Sequence, residues 1–156
     1  MISGISSRSW SAFFGGWWWL VAALLLPGVL EAAADSNFQV QLIWGTNGEK
    51  PKDKPLKDVE PKLQERLKGV FKWNNYYEVS RKPLSVPKDA SQKVKLSDKC
   101  DIQVQDVGAN RVEIRLFGEG KLVVKKMQAV TPGEVIVLAG DSKDDTAWFV
   151  VLTPSK

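Results

Sequence analysis

The side chains able to do chemistry in this chain are few, and what is missing narrows the field first. Among 156 residues there is no histidine and a single cysteine, Cys100. Without histidine the usual general base, the usual zinc ligand and the central member of a hydrolase triad are gone. A lone thiol with no imidazole to activate it is a poor nucleophile, and it cannot close an intramolecular disulfide. Cys100 therefore reads as a small buried apolar residue, with intermolecular pairing as the alternative. Carboxylates alone suit neither zinc nor copper, so no metal is expected, and no cofactor.

Three kinds of group remain: carboxylates, lysines and one aromatic-amide cluster. Asp106 and Glu113 have no spacing that brings them together as an acid and a base, and neither Ser80-Arg81-Lys82 nor Ser97-Asp98-Lys99 matches a serine–lysine arrangement. A non-enzymatic protein is the expectation. Asp141, Asp144 and Asp145 share one short loop, but it lacks the spacing and terminal glutamate of a calcium loop, and Lys143 opposes a cation. It reads as a solvated turn.

The most unusual local sequence is Phe71-Lys72-Trp73-Asn74-Asn75-Tyr76-Tyr77. Alternation places Phe71, Trp73, Tyr77 and Val79 on one face, and Lys72, Asn74, Tyr76 and Glu78 on the other. An outward Tyr76 beside Asn74, with Lys72 and Lys68 on the same side, would make a binding strip, since rings next to amides suit sugars and lysines suit an acid. As scaffold instead, Trp73 and Tyr77 are core and Tyr76 packs across strands.

The elements that must position these groups follow from periodicity. Phe38, Val40, Leu42 and Trp44 alternate along a first strand that stops at Gly45-Thr46-Asn47-Gly48. Residues 49–57, rich in lysine and proline, form a solvated loop. Val59, Leu63, Leu67 and Val70 share one stripe and predict an amphipathic helix over 59–68, capped by Asp58 and closed by a left-handed Gly69. From residue 71 the period is two, with further strands at 93–96, 101–107, 111–117, 121–127, 134–139 and 146–152. Short turns such as Gly108-Ala109-Asn110 and Gly118-Glu119-Gly120 favour antiparallel neighbours. Residues 136–139 and 148–152 are apolar on both faces and read as central strands, covered by the helix on one side and by strands or a partner on the other. Residues 82–92, with Pro83 and Pro87, read as an irregular loop or an edge. The fold class is α+β: one amphipathic helix on a mainly antiparallel, meander-like sheet of six or seven strands, with the option of curling into a sandwich.

The start of the chain gives an address. Arg8 precedes an apolar run over 12–30, broken by Pro27-Gly28 and followed by Ala32-Ala33-Ala34, the order of a secretory signal. Residues 1–34 are expected to be that signal, or an uncleaved anchor, since the run is long enough to span a bilayer. Residues 35–156 then form a single β-rich domain, periplasmic or secreted, in contact with a membrane only if the signal is retained.

Charge is uneven: residues 49–100 hold 14 Lys/Arg against 8 Asp/Glu, and residues 101–156 hold 7 against 8. A basic half can orient the domain on an anionic surface. Nucleic acid is not expected, because no basic face is interleaved with stacking aromatics.

Val40-Gln41-Leu42-Ile43-Trp44-Gly45-Thr46-Asn47, the helix, residues 71–79, Pro132-Gly133 and the two apolar terminal segments together resemble small exported bacterial proteins of uncharacterised function. The resemblance implies an envelope location and assigns no functional residue. The first expectation is thus an exported non-enzymatic domain acting through contacts with an envelope protein, because an open antiparallel sheet leaves edges for a partner strand. The second is a binding module for envelope polysaccharide or anionic lipid, using Tyr76, Asn74, Lys72 and Lys68. The third is a carboxylate-based hydrolase.

Overall fold

A strand that is apolar at alternate positions needs cover on one face, and a strand apolar at every position needs cover on both. The computed structural model, which describes residues 34–140 and 145–155, meets both demands with two antiparallel sheets and one short helix. Strand β1 (Ser36–Thr46) is followed by the two-residue β2 (Lys57–Asp58), helix α1 (Pro61–Val70) and the long β3 (Asn75–Val86). Then come β4 (Ser91–Ser97), β5 (Cys100–Asp106), β6 (Arg111–Gly118), β7 (Lys121–Ala129), β8 (Ile136–Ala139) and β9 (Thr146–Ser155). The first sheet has the order β2-β3-β1-β9-β8 and the second β4-β5-β6-β7, and neither closes on itself. Only the second is the expected meander. In the first, the opening strand of the chain lies between β3 and β9. The expected leader falls outside the described residues except for Ala34.

Two cores result. One lies between the sheets, built from Phe38, Val40 and Leu152 of the first and Ile102, Val104, Ile114 and Leu116 of the second. The other covers the opposite face of the first sheet, where Ile43, Tyr76, Phe149 and Val151 meet Val59 and Leu67. Strand β9 is apolar throughout because it serves both: Val150 and Leu152 face one core, Phe149 and Val151 the other. Strand β8 is likewise sided, yet it is an edge strand rather than a central one. Its four residues pair only with β9.

The helix departs from expectation. It is short, and its apolar stripe is not continuous: Leu67 is buried and Leu63 half-buried, but Val70 is 72% exposed and Val59 lies before the first turn. Glu60, not Asp58, stands at the N-cap, without a side-chain cap bond, and Pro61 occupies the first turn, where a missing N–H costs nothing. Gly69 lies inside the helix. The end is set by Phe71, whose extended backbone still donates its N–H to the Leu67 carbonyl at 2.8 Å.

Residues 82–86, read as an irregular loop or an edge, continue β3 and form an open edge there. Pro83 is admitted because β2 covers β3 only at Tyr77 and Glu78, so the outer side of β3 beyond that point has no ladder to break. Between β6 and β7 the two turn residues, Glu119 and Gly120, have φ of 50° and 79°, the left-handed pair that a tight hairpin requires.

A methyl group added at Gly69 would meet nothing within 4 Å. Since glycine inside a helix costs about 0.5–1 kcal/mol relative to alanine, Gly69→Ala is expected to stabilise the domain by about that amount, measured by urea unfolding. A destabilised variant would mean that the helix is not formed as described.

Candidate functional site

The expected binding strip is taken apart by the fold. Strand β3 begins only at Asn75, so Phe71 and Trp73 precede it and turn toward the same side as Tyr76. Tyr76 is 2% exposed, and its hydroxyl donates to the Leu67 carbonyl at 3.2 Å. Burial pushes that hydroxyl's pKa up. The ring of Phe149 gathers Phe71, Trp73 and Tyr76 at centroid distances of 4.5, 5.6 and 5.8 Å. Tyr76 is therefore a core residue and not an outward one. Asn74 is exposed, and its backbone N–H donates to Asn47 Oδ1 at 3.0 Å, tying the end of β1 to the start of β3. Lys72 lies over the Trp73 ring at 5.2 Å, and Lys68 is exposed in the last helical turn, where a cation is favoured. These four residues do not share a surface with an exposed Tyr76 at its centre.

Why Tyr76 points inward is a matter of register. Leu42 of β1 pairs with Ser80, but Ile43 pairs with Glu78, so Val79 is an extra residue. This bulge reverses the alternation along β3. On one side of it Leu84 and Val86 face the core between the sheets, and on the other Tyr76 and Glu78 face the second core.

Glu78 is 6% exposed and does not stand alone. Gln41 Nε2 donates to Glu78 Oε2 at 2.7 Å, and Arg81 donates to the same oxygen from Nε at 3.0 Å and from Nη2 at 2.8 Å. Arg81 Nη2 also reaches Glu60 at 3.1 Å, linking β3 to the helix start. Burial by itself would raise the Glu78 carboxyl, but the hydrogen bonds from Arg81 and Gln41, with the charges of Arg81 and Lys57, hold it below the usual glutamate value. The group is an ionised anchor for the bulge. A carboxyl so held is a poor proton donor near neutral pH.

The two strand carboxylates weighed for catalysis, Asp106 and Glu113, are also engaged. Asp106 accepts the Gly108 N–H at 2.7 Å and shapes a turn, while Glu113 is ion-paired with Arg115 and Lys125 on the outer face of the second sheet. Among the described residues no cluster of acidic or thiol groups could hold a metal ion. Asp141 and Asp144 lie outside the described residues.

A cleft of about 560 Å³ opens between the sheets at the end of their shared core. Leu42 and Cys100 form its buried base. Burial and the nearby Asp101 charge push the Cys100 thiol up to about 11, so it stays protonated and inert. Trp44 and Trp148, directly paired across β1 and β9, stand beside it. Two half-open valines complete the wall, and each is the extra residue of a bulge. Val79 is one, and Val123 is the other, skipped where Leu116 pairs with Val124 and Phe117 with Leu122. Two glycines leave room for these walls: a Cβ on Gly140 would overlap the Trp148 indole, and one on Gly118 would lie 3.0 Å from Val123 Cγ2. The rim carries Lys54, Lys99 and Glu119, with Lys99 and Glu119 paired at 3.4 Å. Sequence periodicity could not reveal this cleft, because the bulges that build it break the period; the glycines at 118 and 140 were its one visible trace.

Two outcomes follow. Tyr76→Ala removes a buried ring and is expected to cost about 3–5 kcal/mol in chemical denaturation; a loss below 1 kcal/mol would mean the ring is not core. For Glu78, a lowered folded pKa stabilises at neutral pH and is lost as pH falls through it. Glu78→Gln should therefore cost about 1–3 kcal/mol at pH 7, with the gap to wild type closing as pH falls below the ordinary glutamate value and through the lower folded one. A gap independent of pH would remove the charge from this account.

Compared with known proteins, the chain matches no family model, and no curated protein or solved structure matches it.

Proposed function

We propose that this chain is an exported, non-enzymatic domain that works through protein contacts in the bacterial cell envelope, with its two sheets acting as an open-ended sandwich. The observation that carries this reading is β7. Among the described residues it is an edge strand of nine residues, paired on one side only, and it exposes Leu122 at 53% and Met127 at 48%. Such an edge is a template for a further strand. The first sheet is the poorer template: its terminal strands are the two residues of β2 and the four of β8, and the outer side of β3 beyond Glu78 carries Pro83, which has no N–H to give a partner.

Lys121 and Lys126 on β7 have no ion pair among the described residues, so the fitting partner is an extended segment carrying acidic residues. The same lysines oppose the pairing of two copies of β7. Export rests on residues 1–34 alone. Among the described residues no helix is long and apolar enough to cross a membrane. The polysaccharide reading loses its central residue with Tyr76 buried, and the hydrolase reading rests on carboxylates that are already engaged.

A photoreactive residue at Leu122 or Met127 of the full chain, activated in cells, is expected to capture the same envelope protein from both positions and nothing from Lys88. Lys121→Glu with Lys126→Glu should suppress that product. Identical products from all three positions, or none, would overturn the reading.

A further inference from the structure

We infer that the cleft between the sheets binds a fatty acid, a linear apolar chain ending in a carboxylate. The inference goes beyond the edge-strand reading and does not depend on it. Three independent features converge on the same space. Its size, about 560 Å³, lies in the range of small-ligand sites, roughly 300–1,000 Å³. Its side walls are set by two separate bulges, on β3 and on β7, that turn Val79 and Val123 toward it, and bulges are a common device for re-aiming side chains at a site. Its indole wall depends on glycine at residue 140, and glycine at 118 spares Val123 a close contact. A simple end-cap for the core would fill this volume with side chains, whereas here Val79 and Val123 remain about 40% exposed.

Charge selects the class of ligand. Among the described residues the mouth holds two lysines and one glutamate, and the glutamate is taken by Lys99, which leaves Lys54 without an ion pair. An apolar channel with a net positive rim matches a single-chain amphiphile whose head is anionic. A cationic amphiphile would meet repulsion at the rim, and a two-chain lipid held in a bilayer would have to leave it to enter.

The probe is monomeric laurate, titrated calorimetrically into the full chain below its micelle concentration. One laurate per chain is expected. Lys54→Glu with Lys99→Glu should weaken it by about tenfold or more, as should Val123→Trp, which fills the cleft, while Lys88→Glu leaves it unchanged. Dodecyltrimethylammonium should bind about tenfold more weakly than laurate. Should Val123→Trp fail to fold, the surface lysine pair still decides the matter. Absence of saturable binding, equal binding by the lysine variants, equal affinity for the cationic amphiphile, or association with phosphatidylglycerol vesicles but not with monomeric laurate would each overturn the assignment.

Discussion

One extra residue in β3 governs this structure. A regular strand presents alternate side chains to opposite faces, so a strand twelve residues long would commit all its even positions to one core. The bulge at Val79 ends that commitment halfway. Leu84 and Val86 stay with the core between the sheets, and Tyr76 is delivered to the other side, where Phe149 waits. Without the bulge Tyr76 and Glu78 would point into the space between the sheets, and the second core would lose the Tyr76 ring and the buried Glu78 carboxylate. The Glu78–Arg81–Gln41 group sits on the bulge itself, which gives the buried charge a structural purpose.

The second core is small and strongly aromatic, and it substitutes for a longer helix. Three rings surround Phe149, and Gly45 permits their approach, since a Cβ there would lie 2.9 Å from Phe149 Cε2. Aromatic pairs add about 0.5–1.5 kcal/mol beyond the area they bury. With that cover in place α1 needs to bury only Leu67, which accounts for its broken stripe and its exposed Val70. Chain order, then, is a poor guide to layering here: residues 71–73, outside any strand, contribute as much to this core as the helix does.

Most strand positions, though not the bounds of β3 or the short β2, together with the turn chemistry and the two-sided burial of β9, were readable from the residues, because each rests on local alternation or on a local backbone requirement. Phe38, Val40 and Leu42 face the core as their spacing says, and Gly118-Glu119-Gly120 is the tight turn it looks like. Partnership between strands was not readable, and neither was the division into two sheets. A bulge leaves no compositional mark, so the side of Tyr76, and with it the expected strip, came out reversed. The cleft eluded sequence reasoning for the same reason. Its two valines look like ordinary strand residues until register shows them to be supernumerary.

The pairing of the first strand with the last has a consequence in time. Asn37 finds its partner in Ser155 and Thr46 in Thr146, so the central ladder of the first sheet joins the two ends of the domain. Synthesis and folding cannot proceed in step under that arrangement, because β1 must wait for Thr146–Ser155, about a hundred residues later, before this ladder can be completed. Long-range closure of this kind slows folding. Until the ladder closes β1 is exposed to aggregation or to a chaperone, and under the export reading proposed above the same delay would keep the chain unfolded and transportable.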